Sequence, residues 1–198
     1  MKRFLAVLLV VLCLPATARS GGDCLTGTVT AVETPPNSGV WKYCMSLTYD
    51  VTSLASAPSH FSLIMGALAD CPCVCRPDII TFESPAGSSP GTDQVTGDPC
   101  KVLYEGVYEC EGDPTLPGFP GPAVKWEVPE GTCEPNLTGT GTFCFLSVLP
   151  PAPPSSTTVV IKLGQQECSG TVTGTLPSCS CPTPTRPGTW GRLKSLYR

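Results

Sequence analysis

One histidine, three methionines and three tryptophans in 198 residues leave this chain short of the side chains that most often catalyse or ligate. With His60 alone, an HExxH zinc helix is impossible and any Ser-His-Asp triad has a single candidate base. At the start of a strand, a lone histidine reads as a hydrogen-bonding strand residue. No Walker A, Rossmann glycine or EF-hand pattern occurs. The one G-x-S-x-G match, Gly87-Ser88-Ser89-Pro90-Gly91, puts proline where a nucleophile elbow needs a backbone N–H for its oxyanion hole. His60 also precedes Ser89, against the order of the elbow fold, so the segment reads as a loop. These absences point to a non-enzyme without cofactor or metal.

Basic residues are scarce where the chain is acidic. All 16 carboxylates lie between Asp23 and Glu167, opposed there by Lys42, Arg76, Lys101, Lys125 and Lys162 only. An acidic body excludes nucleic acid as a partner, because phosphates need a basic face.

Cysteine is abundant. Twelve follow the first apolar stretch: Cys24, Cys44, Cys71, Cys73, Cys75, Cys100, Cys110, Cys133, Cys144, Cys168, Cys179 and Cys181. An even count in an exported chain implies a disulfide framework, here of up to six bridges, with the connectivity left open. If Cys71, Cys73 and Cys75 lie on an extended strand, neighbours stand about 6.6–6.8 Å apart, at the limit of disulfide reach. Each is therefore expected to pair with a different distant segment, making the cluster a covalent hub. The rival is a metal site with Cys179 and Cys181 as the second ligand group; an oxidising compartment disfavours it.

Residues 1–18 read as a signal peptide, with Lys2 and Arg3, an apolar run Phe4–Leu14, and the small-x-small site Ala16-Thr17-Ala18. The run is too short to cross a bilayer, so no transmembrane segment is expected in the mature chain. Residues 19–181 read as one β domain. Val40–Thr52 alternates most cleanly, with Trp41, Tyr43, Met45, Leu47, Tyr49 and Val51 on one face. Further strands are expected at Gly27–Thr34, Ser59–Met65, Asp78–Glu83, Val102–Cys110, Ala123–Val128, Thr142–Leu149, Thr157–Leu163 and Ser169–Gly174. Turn chemistry separates them at Pro35–Gly39, Pro85–Gly91, Asp113–Pro122 and Pro150–Ser156. About nine short strands between Gly/Pro clusters suggest a disulfide-rich antiparallel β-sandwich, Ig-like or jelly-roll-like, with a closed barrel next in line.

Residues 182–188 read as an extended Pro/Thr linker and 189–198 as a basic aromatic tail. Trp190, Leu193 and Tyr197 recur at i, i+3 and i+7, with Arg192, Lys194 and Arg198 elsewhere on the wheel. Such a peptide suits sorting or docking at a cell-surface partner. A calcium loop around Glu105, Glu109, Glu111 and Asp113, a carbohydrate face using Tyr104 and Tyr108, and a carboxylate hydrolase are the alternatives. Asn136-Leu137-Thr138 is a glycosylation sequon.

The order Tyr49-Asp50-Val51-Thr52, Ser59-His60-Phe61, Val124-Lys125-Trp126-Glu127, Phe143-Cys144-Phe145, Val160-Ile161-Lys162-Leu163-Gly164 and Gly170-Thr171-Val172 to Cys179 resembles functionally uncharacterised secreted bacterial β modules with an "LSH…GIKFD…VKxG" pattern. The likeness covers about residues 40–179; Ala123–Trp126 and the extra cysteines depart from it. The tail resembles "TWGxIKxLYR" peptides of exported bacterial proteins. Together these imply a bacterial, extracellular or surface setting and no activity. The expected function is a non-catalytic structural or adhesive module.

Overall fold

The computed structural model describes residues 24–54 and 56–181. The described chain is all-β, with one short 3-10 turn at Gly66–Leu68. Its strands are β1 Leu25–Glu33, β2 Trp41–Asp50, β3 His60–Ile64, β4 Ile80–Thr81, β5 Gly87–Asp93, β6 Pro99–Glu109, β7 Ala123–Glu127, β8 Cys133–Pro135, β9 Thr138–Ser147, β10 Ser155–Leu163 and β11 Gln166–Gly174. Among the described residues no helix is long and apolar enough to cross a membrane.

The sandwich expectation is overturned. Nine strands follow one another as β9-β2-β1-β11-β10-β3-β7-β6-β5, and β5 returns to β9 through Gly87↔Phe143 and Ser88↔Thr142, closing a barrel. A ring of nine strands cannot alternate direction all the way round. One neighbouring pair must run parallel, and β1 with β11 is that pair. β4 and β8 are short additions that extend β9 and β5 on either side of the closing seam.

β5 decides between the two architectures, and its sequence GSSPGTD has no strand signature. Its glycines serve close approach. A Cβ on Gly87 would stand 2.7 Å from Phe143 Cδ1, and one on Gly91 2.6 Å from the Glu134 carbonyl oxygen. Pro90, which has no N–H to give a ladder, is tolerated because this stretch of β5 has only partial neighbours on one side.

Period-two alternation sends one face of each strand inward. Tyr43, Met45, Leu47 and Tyr49 of β2 meet Phe61 and Leu63 of β3, Tyr104 of β6, Trp126 of β7 and Phe143 and Phe145 of β9 in one core. Phe61 lies 4.8 Å from Phe143 and 5.6 Å from Tyr104 between ring centroids, and Tyr43 stacks on Phe145 at 5.1 Å. A ring of about eight strands is just wide enough for side chains to fill, and here aromatic rings fill it. Asp113–Pro122 belongs to a strap that crosses the outer face of β3, β7 and β10, where Leu116 and Phe119 cover Ile64, Ala123 and Val160. That explains why all five residues of β3 are buried.

Candidate functional site

All twelve expected cysteines are paired: Cys24–Cys168, Cys44–Cys144, Cys71–Cys179, Cys73–Cys181, Cys75–Cys110 and Cys100–Cys133. Cys44 and Cys144 are directly opposed across β2 and β9, with Cα atoms 4.2 Å apart. Cys24–Cys168 staples the parallel pair, joining the residue before β1 to β11.

The hub at Cys71, Cys73 and Cys75 exists with two corrections. The segment is a run of turns rather than a strand, started by the 3-10 turn. And two of its cysteines reach the same segment, Cys71 to Cys179 and Cys73 to Cys181, while Cys75 alone goes elsewhere, to Cys110 at the end of β6. In turn conformation the side chains need not splay to separate partners, and a Cys-x-Cys pair meets a Cys-x-Cys pair. The sulfurs of Cys71, Cys179 and Cys181 lie within 4.8 Å of one another, the arrangement a metal reading would want. Each nevertheless has a bonded partner sulfur, so no thiolate is left to act as ligand.

A second cluster lies under the strap. Asp113 is buried, and its Oδ1 accepts from the Thr115 amide at 2.9 Å and the Thr115 hydroxyl at 2.6 Å. Its Oδ2 accepts from the Ser62 hydroxyl at 3.0 Å and lies 3.2 Å from His60 Nε2. Burial pushes the Asp113 carboxyl up, but the Thr115 and Ser62 bonds and the neighbouring imidazole outweigh it and hold the carboxyl below its ordinary value. His60 is depressed to about 4, by burial first and by the Lys125 ammonium second, against the pull of Asp113 and Glu127. The imidazole is therefore neutral at neutral pH, with Nε2 beside Asp113 Oδ2 and 3.3 Å from the Thr115 hydroxyl. Ser59 Oγ stands 3.5 Å from His60 Nδ1, but donates to the Lys162 carbonyl at 3.0 Å. The residue types of a triad are present, yet the serine proton is committed to the backbone. Sequence reasoning missed this cluster; Asp113-Pro114-Thr115 signals an Asx turn and nothing in it names His60 as partner.

The remaining candidates divide as follows. The segment around Ser89 is a strand rather than the expected loop, and Ser89 Oγ is hydrogen-bonded to the Tyr104 hydroxyl at 2.8 Å inside the barrel. Tyr104 is core, its phenol pushed up by burial, so the expected Tyr104/Tyr108 face does not form. Tyr108 is half-buried and pushed up to about 12 by the same cause. Glu105 and Glu111 are exposed while Asp113 is turned inward, so the calcium candidates do not converge. Asn136 is half-buried, its side-chain oxygen accepting from Thr92 Oγ1 at 2.8 Å. Trp190, Arg192, Leu193, Lys194, Tyr197 and Arg198 lie outside the described residues, as do residues 1–18. A recess of about 180 Å³ over the closing seam is lined by Lys42, Glu83, Gly87, Lys101 and Leu146, and Lys42 pairs there with Glu83. No protein-family model and no curated protein matches the chain.

Proposed function

We propose that this protein is a non-catalytic, exported structural or adhesive module whose C-terminal peptide is a sorting or docking element at the cell surface. One observation carries the reading: the peptide departs from a covalent anchor. Cys181, the last described residue, is bonded to Cys73, and Cys179 just before it to Cys71. Whatever residues 182–198 engage is thereby attached to the barrel by sulfur, not by strand pairing alone. Six bridges are consistent with an extracytoplasmic location. The peptide's four basic residues, with no acid among them, and its Trp190, Leu193 and Tyr197 supply charge and apolar contact for an anionic surface or partner. In support of a non-catalytic role, the Ser89 hydroxyl of the elbow motif is hydrogen-bonded to Tyr104 inside the barrel and His60 is buried beside Asp113.

The test is deletion of 182–198 in the natural host. The truncated protein is expected to keep its circular dichroism spectrum and melting temperature while moving from the cell-surface fraction to the medium. Unchanged fractionation would overturn the docking role.

A further inference from the structure

We propose that the adjacent bridges Cys71–Cys179 and Cys73–Cys181 form a thiol-exchange site, which captures a low-molecular-mass thiol on Cys179 and re-forms the C-terminal anchor between Cys71 and Cys181. Access is graded across the four sulfurs. Cys179 is exposed and Cys181 half-buried, whereas Cys71 and Cys73 are buried in the core cluster. An incoming thiolate meets Cys179 first.

Attack there forms a bond between the external sulfur and Cys179 Sγ. The Cys71–Cys179 bond breaks, and its electron pair stays on Cys71. A buried thiolate in apolar surroundings is unfavourable, and Cys71 Sγ has an electrophile close by: Cys181 Sγ at 3.4 Å, with Cys73 Sγ at 3.7 Å. The two sulfurs are within reach but side-on, since Cys71 Sγ lies almost as close to Cys73 Sγ; freed from Cys179, the Cys71 side chain turns about its Cα–Cβ bond into line with the Cys181–Cys73 bond before it attacks. The second displacement forms Cys71–Cys181, breaks Cys73–Cys181 and leaves the electron pair on Cys73, which takes the proton given up by the incoming thiol. Two bridges and one thiol become one mixed disulfide, one bridge and one thiol, with no net oxidation. Cys181 ends bonded to the barrel, so the C-terminal segment stays attached while Cys179 carries the adduct. The site stands independently of what the tail binds.

The test uses the full-length oxidised protein and limiting reduced glutathione, quenched with acid, alkylated with N-ethylmaleimide, and digested without reduction for mass spectrometry. The expected map has glutathione on Cys179, a cross-linked peptide pair holding Cys71 and Cys181, and maleimide on Cys73. In a Cys73→Ser/Cys181→Ser double variant the second step has no electrophile, so the maleimide moves to Cys71. Should that variant fail to fold, the map of the unsubstituted protein decides alone. Maleimide on Cys71 with Cys73–Cys181 intact, or a first adduct at Cys75 or Cys110, would overturn the proposal.

Discussion

Between about pH 6.5 and 4, the His60 imidazole makes stability depend on acidity. Its folded pKa is depressed to about 4, below the ordinary 6.5, so the fold favours the neutral form. The unfolded chain binds the proton first as pH falls. The contribution of His60 is therefore complete above about pH 6.5 and is lost progressively towards pH 4, by about 3 kcal/mol in all. Asp113 acts in a separate window, because its lowered carboxyl loses its contribution only below the ordinary carboxylate value near 3.8. Urea unfolding at stepped pH should show the His60 slope in the native chain and a flattened one in His60→Gln. An equal slope in the variant would rule out His60 as its source. The place of His60 at the head of a strand was legible from Ser59-His60-Phe61. Its partner was not, since Asp113 sits in a turn whose own chemistry explains an aspartate without any histidine.

At the scale of the element, alternation was a sound guide wherever a strand carries large apolar residues. β2, β3, β7, β10 and β11 fall within a residue or two of expectation for most ends, because each must send bulky side chains into one core. β5 escaped the same reasoning. Its inward positions are Gly87, Ser89 and Gly91, and the volume there is supplied from across the seam by Phe143. A strand that contributes space rather than substance has no hydrophobic period to read, and the choice between sandwich and barrel hung on it. Gly87→Val tests this directly. The added side chain starts 2.7 Å from Phe143 Cδ1 and 3.0 Å from the Thr142 carbonyl oxygen, in a seam of two residue pairs. Overpacking of this kind typically costs about 1–3 kcal/mol. A lowered denaturant midpoint with retained β spectrum is expected, and a midpoint equal to the native one would mean that the seam is looser than described.

For the whole molecule, cysteine count and parity foretold a fully bonded framework, whereas pairing depended on which turns bring segments together and was not legible. The Cys24–Cys168 bridge closes the longest loop, with a sequence separation of 144. Replacing both by alanine is expected to cost about 2–5 kcal/mol, chiefly by freeing the unfolded chain. Denaturant unfolding of the variant beside the native protein measures it, and a loss well under 1 kcal/mol would mean that strand pairing alone already fixes this end. The body's excess of negative charge, by contrast, was readable at once.

The odd strand number has a mechanical consequence. Because β1 and β11 run side by side in the same direction, the chain comes in at one rim of the barrel and leaves β11 towards the other. A pull on the two ends would be taken up by sulfur before it reached the hydrogen bonds of these strands, at Cys24–Cys168 on one side and at Cys73–Cys181 on the other. The Cys24–Cys168 sulfur bond spans that same pair, so a tether drawn taut through this molecule would meet its covalent links first.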